Sequence, residues 1–183
     1  MSGTGPIELK RWLEVAQREK FVADIETIFF AASATQHFAS TSVRDAFRER
    51  WLGRYIMYYP NWFYVAIGDG RAVGYLAGCV DDPALSPRFS DIAFFRDFAD
   101  LTREYPAHLH INLDAAYRND GLGGRLIDMF VGDAKTTGAA GVHVVTGYQS
   151  RNRSFYGRNR FEVLRELPDA EPALVFLGRR FSA

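Results

Sequence analysis

One change of periodicity, between residues 107 and 134, constrains the fold of this chain more than any other feature of its sequence. From His108 to Asp114 polar and apolar residues alternate, which is the pattern of a strand with one polar and one apolar face. Apolar residues then recur at helical spacing, at Leu122, Leu126, Ile127, Phe130 and Ala134. The sequence therefore predicts a strand that enters a glycine-rich turn and then a helix.

This predicted turn exposes backbone N–H groups at the first residues of a helix, where the helix dipole is positive. A phosphate is the natural ligand of such a turn. Two common phosphate-binding motifs do not fit. The dinucleotide-binding pattern G-x-G-x-x-G fails, because Gly121-Leu122-Gly123 is followed three residues later by Leu126 instead of glycine. The P-loop pattern fails, because no Gly-Lys-Ser/Thr sequence closes the turn. The alternative is a strand-to-helix turn whose glycines only relieve backbone strain.

The length and charge of the chain bound its class. With 183 residues the chain is long enough for one domain with a sizeable core. Lys and Arg together number 22, and Asp and Glu together also number 22, so the formal net charge is zero. The chain therefore has no overall charge that would attract it to nucleic acid or to an anionic membrane. We therefore expect neither nucleic acid nor a membrane as a partner.

Cysteine usage and apolar runs bear on the compartment. Cys79 is the single cysteine, which excludes an internal disulfide and suits a reducing environment. The first residues lack the charged-then-apolar pattern of a signal peptide, and no apolar run approaches membrane-spanning length. These observations predict a cytoplasmic protein.

The remaining segments predict helices and strands in mixed order. Strands are expected over residues 6–13, 61–67, 71–80, 142–148, 161–167 and 173–178, and helices over 21–32, 43–55, 90–105 and 153–156. Thr41 or Ser42 would cap the second helix. Gly68-Asp69-Gly70 predicts a tight hairpin turn, because Asp-Gly readily adopts positive φ angles. The predicted fold class is α/β, with antiparallel strand pairs flanking a parallel crossover.

An insertion at residues 81–106 precedes the central strand and is too long for a hairpin connection. Its second half predicts a helix with an aromatic face. Such a face is typical of a lid over a cleft or of a surface for a partner chain, and the sequence leaves both open.

The pattern Arg118-x-x-Gly121-x-Gly123-Gly124 resembles the R/Q-x-x-G-x-G/A loop of the GNAT N-acetyltransferase superfamily. The resemblance implies the GNAT acyltransferase fold, a mixed central sheet flanked by helices, with acetyl-CoA as cosubstrate. It also implies that the backbone of Ile111 and Leu113, with Asn112 between them, binds the pantetheine arm as an added strand. The implied pyrophosphate-binding residues are Arg118, Asn119, Asp120, Gly121, Leu122, Gly123 and Gly124.

Residues 152–161 resemble a second, looser GNAT signature, N-x-x-(A/F)-x-x-F-Y-x-x-x-G-F. The resemblance implies that Asn152 and Phe155 contact the coenzyme, and that the Tyr156 hydroxyl lies near the thioester sulfur as a proton donor. The alternative for Tyr156 is a packing residue. The sequence departs from the signature at Arg160, where the family usually has a glycine in the left-handed conformation. Asn159 is the candidate replacement.

Acetyl transfer to an amine also needs a base, because an amine with a pKa near 10 arrives protonated. The candidates are His110, together with His108 on the same strand face, and Asp81 at the end of a preceding strand. The alternative for the histidines is a hydrogen-bonded polar surface, and for Asp81 a turn residue bonded to its own backbone. A metal at His108, His110 and Asp114 lacks a fourth ligand, so we predict none.

A narrower resemblance is to the C-terminal acetyltransferase-like domain of O-GlcNAc hydrolase and its free-standing bacterial relatives. It depends on residues 74–78 leading to Asp81, the insertion, residues 110–113 and the terminal residues 177–180. The animal domain of that branch has lost the R-x-x-G-x-G loop, whereas this sequence retains it. Coenzyme binding is therefore expected here, in a bacterial protein.

These observations predict one GNAT domain over residues 1–183 that transfers acetyl directly to an amine in a ternary complex. The acceptor, a small molecule or a peptide, cannot be read from the sequence, and a homodimer is left open. The first alternative is a pseudo-acetyltransferase that binds acetyl-CoA without turnover. The second is a partner-interaction domain that uses the aromatic insertion.

Overall fold

The computed structural model describes residues 5–181 and contains a seven-stranded mixed sheet flanked by helices. The strands are β1 Glu8–Arg11, β2 Phe63–Gly68, β3 Arg71–Cys79, β4 Ala107–Leu113, β5 Gly141–Gly147, β6 Glu162–Leu167 and β7 Leu174–Arg180. They are hydrogen-bonded in the order β1-β2-β3-β4-β5-β7-β6. β4 and β5 run parallel, whereas the pairs β1–β2, β2–β3, β5–β7 and β6–β7 are antiparallel. The predicted α/β class, with antiparallel pairs flanking a parallel crossover, is confirmed.

The helices are α1 Val22–Ala32, α2 Thr41–Arg48, α3 Arg54–Tyr58, α4 Phe94–Asp97, α5 Ala99–Glu104, α6 Leu122–Lys135 and α7 Asn152–Arg158. α2 and α3 are joined by a π-helical segment, Glu49–Gly53, which the sequence did not predict. The cap of α2 is Ser40, whose Oγ accepts from the Val43 N–H at 3.3 Å, so the prediction of Thr41 or Ser42 was wrong. The helix predicted over residues 90–105 is divided into α4 and α5.

The chain packs as two compact units. Unit 1 comprises the described residues of Met1–Gly78 and His110–Phe130, and unit 2 those of Cys79–Leu109 and Val131–Ala183. A single domain over residues 1–183 stays a prediction.

In unit 1, the β2–β3 hairpin turn has the predicted geometry. Asp69 and Gly70 have φ angles of 53° and 75°, the left-handed values that a tight turn requires. The Phe63 and Tyr75 rings stack across the two strands with centroids 5.5 Å apart, while Tyr64 contacts Phe130 of α6. A Cβ at position 74 would lie 2.3 Å from Leu113 Cδ2, so any larger residue there would have to displace the Leu113 side chain. The hairpin and the end of β4 are thus in close contact within this unit.

In unit 2, the aromatic face of the insertion is buried. Phe89, Phe95 and Phe98 are at most 3% exposed. Phe89 and Phe95 pack on the His108 ring at centroid distances of 4.8 and 5.4 Å. Of the two alternatives that the sequence left open, a partner-chain surface on this aromatic face is wrong, since its own unit covers the face. A lid over a cleft stays a prediction. His108, expected on a polar surface, is only 2% exposed.

Candidate functional site

The turn between β4 and α6 presents a run of backbone N–H groups. Asn119 and Gly121 have φ angles of 73° and 74°, and α6 begins at Leu122. Within residues 5–181, the six amides of residues 119–124 have no hydrogen-bond acceptor. The Arg125 amide donates to the Gly121 carbonyl at 3.1 Å and so begins the helical ladder. An ordinary helix leaves four orphan amides, and this turn adds two more, which makes it well suited to an anion.

The residues before this turn are held by side chains of unit 1. Arg118 donates from Nε and Nη2 to the Leu113 carbonyl, at 3.1 and 3.0 Å. Asp114 accepts from the Ala116 amide at 3.0 Å and from Arg71 Nη1 at 2.9 Å. The Tyr117 hydroxyl donates to Asp69 Oδ2 at 3.4 Å. Sequence reasoning missed the contacts of Arg71 and Asp69, because nothing local indicates which distant hairpin will meet the turn.

β4 provides a strand edge next to this turn. Among the described residues, its parallel pairing with β5 is confined to Ala107 with Val142 and His108 with His143. Residues 109–113 therefore have no ladder partner in β5, and an extended ligand could use that edge. The Asn112 side chain donates to the Tyr75 hydroxyl at 2.8 Å, so this side chain is engaged by the protein itself.

His110 lies on the same strand and contacts the helices of unit 1. Its Nε2 is 3.1 Å from the Tyr55 hydroxyl, and its ring lies edge-on to Trp51 at a centroid distance of 5.5 Å. Burial, and secondarily the positive charge of Arg54, lowers the pKa of His110 to about 4. The imidazole is consequently neutral at pH 7. His110 is half-buried and hydrogen-bonded to Tyr55, so its role as a base and the alternative of a hydrogen-bonded polar residue both stay predictions. In unit 2, the ring of His108 is packed against Phe89 and Phe95.

The second signature lies in unit 2, on α7. Tyr156 is 6% exposed and packs against Phe155 and Phe161 at centroid distances of 5.2 and 5.5 Å. Its hydroxyl makes no hydrogen bond within the described chain. Burial raises the pKa of Tyr156 above its ordinary value of 10, so the phenol stays protonated at neutral pH. Asn152, the first residue of α7, is exposed, and its amide donates to Ser150 Oγ at 3.3 Å.

Arg160 itself ends α7. Its φ of 67° places it in the left-handed region, whereas Asn159 has a φ of −96°. The Phe161 amide donates to the Tyr156 carbonyl and the Arg160 amide to the Gly157 carbonyl, both at 3.1 Å. This is the Schellman arrangement that normally uses glycine. The expectation that Asn159 would take this position is therefore wrong, and the geometry of the helix end is retained despite the substitution.

Asp81, the other candidate base, lies in unit 2, two residues after the last residue of β3. The side chain that closes this turn is that of Asp82, whose Oδ1 accepts from the Ala84 amide at 2.9 Å. Asp81 is exposed, and within residues 5–181 its carboxylate has no hydrogen-bond or ion-pair partner. The alternative of a turn residue bonded to its own backbone is wrong for Asp81.

The predicted site residues are thus divided between the units. His110, Ile111, Asn112, Leu113 and the turn residues 118–124 belong to unit 1, whereas Asp81, Asn152, Phe155 and Tyr156 belong to unit 2. Over residues 5–181, no three His, Cys, Asp or Glu side chains are grouped so that they could hold a metal ion. None of the described helices combines the length and the apolarity needed to cross a membrane.

Comparisons with known proteins identify the fold. The sequence matches no family model and no curated protein significantly. Among solved structures, SsHAT is similar at a TM-score of 0.72 and 22% identity, covering 98% of this chain and 100% of its own. A protein from Desulfovibrio desulfuricans assigned to the GNAT acetyltransferases has a TM-score of 0.65 and 17% identity, covering 96% and 99%. PaiA N-acetyltransferase from Thermoplasma acidophilum, solved with coenzyme A, has a TM-score of 0.65 and 13% identity, covering 97% and 100%. The chain therefore has the GNAT acetyltransferase fold.

Proposed function

We propose that this chain is an acetyltransferase that takes the acetyl group of acetyl-CoA and transfers it to an amine. The observation that carries this proposal is the run of six amides without acceptors, residues 119–124, at the start of α6. In a GNAT fold this turn follows the central strand, and PaiA, which shares the fold, was solved with coenzyme A. Amides and helix dipole together suit the two negative charges of a diphosphate.

The proposed binding mode continues along β4. The pantetheine arm would pair with the strand edge of residues 109–113, where β5 supplies no ladder partner. Its amide groups would replace those of a neighbouring strand, so that affinity comes from main-chain hydrogen bonds. Ile111 and Leu113 are the residues whose backbone we assign to this contact. At Leu113 the amide would pair with the ligand, because the carbonyl already accepts from Arg118 Nε and Nη2. Asn152 and Phe155 are proposed further contacts of the coenzyme.

In the proposed reaction the amine nitrogen attacks the thioester carbonyl carbon. A C–N bond forms, and the C–S bond breaks as the tetrahedral intermediate collapses. The departing thiolate takes a proton, and we assign its donation to the Tyr156 hydroxyl. This phenol is buried, protonated and uncommitted to any other hydrogen bond in the described chain, which are the properties of a poised donor.

The amine must lose a proton, and His110 is the first candidate to receive it. Its ring is neutral at pH 7 and so retains a lone pair. A pKa of about 4 means that it holds a proton weakly, so we assign it a relay role in which the proton passes on to water. Asp81 is the second candidate, because its exposed carboxylate is not used by the turn that contains it.

A pseudo-acetyltransferase that binds acetyl-CoA without turnover is the alternative. The low pKa of His110 favours it, since efficient general bases have pKa values near the working pH. The second alternative, a partner-interaction domain that uses the aromatic insertion, is not supported, because the aromatic face of the insertion is buried in unit 2. The narrower resemblance to the O-GlcNAc hydrolase domain, a bacterial source, a cytoplasmic location and a homodimer stay predictions.

The first test is whether the chain binds the coenzyme, and thermal unfolding measures this. A ligand that binds the folded state raises the midpoint temperature of unfolding. We expect acetyl-CoA to raise the midpoint strongly and dephospho-CoA or desulfo-CoA to raise it as well, since all three retain the diphosphate. Release of CoA is then measured with a panel of amines. Turnover with any amine supports the enzyme, binding without turnover supports the pseudo-acetyltransferase, and absence of binding contradicts both.

A further inference from the structure

A carboxylate, that of Asp114, lies five residues before the run of six amides. Asp114 follows the last residue of β4, and its amide donates to the Val73 carbonyl at 2.9 Å. Its Oδ1 accepts from the Ala116 amide at 3.0 Å and so caps the short helical turn Ala115–Tyr117. These contacts fix a negative charge in the segment that leads from β4 into the turn of residues 119–124. An uncompensated charge at this position would oppose the binding of a diphosphate.

Arg71 compensates this charge from the β2–β3 hairpin. Its Nη1 donates to Asp114 Oδ2 at 2.9 Å. The Ala116 amide, Arg71 and, more weakly, Arg118 all lower the pKa of Asp114, so the carboxylate is ionised at neutral pH. The Arg118 guanidinium, which donates to the Leu113 carbonyl, adds a second and weaker positive charge beside Asp114.

The hairpin fixes Arg71 in this position. Arg71 is the first residue of β3 and follows Gly70, whose φ of 75° completes the tight turn. Its guanidinium lies 5.6 Å from the centre of the Tyr117 ring. The Tyr117 hydroxyl donates a hydrogen bond to Asp69, which belongs to the β2–β3 hairpin turn. Two side chains of the hairpin therefore contact the segment that leads from β4 to α6.

We propose that Arg71 is a positioning residue for the diphosphate of the coenzyme, and that it acts by neutralising Asp114. Arg71 itself does not contact the ligand in this arrangement. The carboxylate of Asp114 shapes the segment before the turn by capping Ala115–Tyr117, and Arg71 reduces the electrostatic repulsion that this carboxylate would otherwise exert. This inference rests on the proposed function, because it assumes that residues 119–124 bind the diphosphate.

Two substitutions separate this charge effect from a purely structural one. Arg71→Met removes the positive charge and preserves most of the length of the side chain. Asp114→Asn removes the negative charge but keeps an oxygen that can accept from the Ala116 amide, so the cap remains. Arg165→Met is the matched control, because Arg165 forms an exposed pair with Asp100 of unit 2 through Nη1 and Nη2.

The affinity for coenzyme A is measured by calorimetry at low and high salt, with the free energy of unfolding of each variant. We expect Arg71→Met to weaken binding by about three- to tenfold at low salt, less at high salt. Adding Asp114→Asn to that variant should restore the affinity to within about twofold of wild type, and Arg165→Met should change it by less than about twofold.

An unchanged affinity for coenzyme A in Arg71→Met would overturn the inference. A loss of affinity that the added Asp114→Asn substitution does not restore would also overturn it, because Arg71 would then only shape the turn. Absence of binding by the wild-type chain would instead contradict the proposed function itself. The wild-type titration therefore distinguishes the two failures.

Discussion

The lowered pKa of His110 makes the stability of the fold depend on pH in a specific window. The ordinary pKa of a histidine is near 6.5, and in the folded chain that of His110 is about 4. Between these values the unfolded chain binds a proton at this residue and the folded chain does not. The free energy of unfolding therefore falls as the pH falls from about 6.5 to about 4.

The size of this effect follows from the two pKa values. At pH 5 the unfolded histidine is almost fully protonated while the folded one is about nine-tenths neutral, which corresponds to a loss of about 2 kcal/mol relative to neutral pH. The full loss, reached below pH 4, is about 3 kcal/mol. His110→Gln has no such titration, so its stability should lack this component of the decrease.

Urea unfolding of both chains at pH 7.5 and pH 5 measures the effect. We expect the wild-type chain to lose about 2 kcal/mol more than His110→Gln between these two values. His37→Gln, at an exposed histidine, is the control for the loss of an imidazole at the surface. Parallel losses in wild type and His110→Gln would refute the reasoning, and His110 would then have to be reconsidered as a base with an ordinary pKa.

Three further predictions concern the helix ends and the proposed chemistry. Arg160→Gly should raise the free energy of unfolding by about 0.5–1 kcal/mol, because glycine adopts the φ of 67° without strain; urea unfolding showing a decrease would mean that the Arg160 side chain stabilises the fold. Tyr156→Phe should lower the kcat of acetyl transfer by about a hundredfold and leave the KM for acetyl-CoA unchanged, as measured by CoA release; equal kcat values would exclude Tyr156 as the proton donor. Gly123→Asp should abolish the rise in thermal midpoint caused by acetyl-CoA, because its carboxylate would face the diphosphate, and an unchanged rise would count against the assigned turn.

Local sequence patterns were sufficient for several parts of this fold. The hairpin turn at Asp69 and Gly70 was predictable because Asp-Gly favours positive φ angles whatever surrounds it. The β4 strand and the start of α6 were predictable because the change of hydrophobic period occurs within a few residues of the chain. In each case the determining interactions are near in sequence.

Other features depend on contacts between distant residues. Arg71 and Asp114 are 43 positions apart, and Tyr55 and His110 are 55 positions apart, so no pattern indicates either pair. Arg160 adopts a left-handed conformation that its own side chain disfavours, and the burial of the following Phe161, 3% exposed, offers a tertiary reason for it. The sequence also did not predict that the helix of the insertion is divided into α4 and α5, because its aromatic residues have the spacing of one face of a single helix.

The central claim is that the amides of residues 119–124 receive the diphosphate of the coenzyme. Titration of the ¹⁵N-labelled chain with coenzyme A, followed by the amide resonances, tests it most directly. We predict that the signals of these six residues move together and saturate, while that of Arg125, which already donates to the Gly121 carbonyl, moves much less. Unmoved signals at saturating coenzyme would contradict the claim.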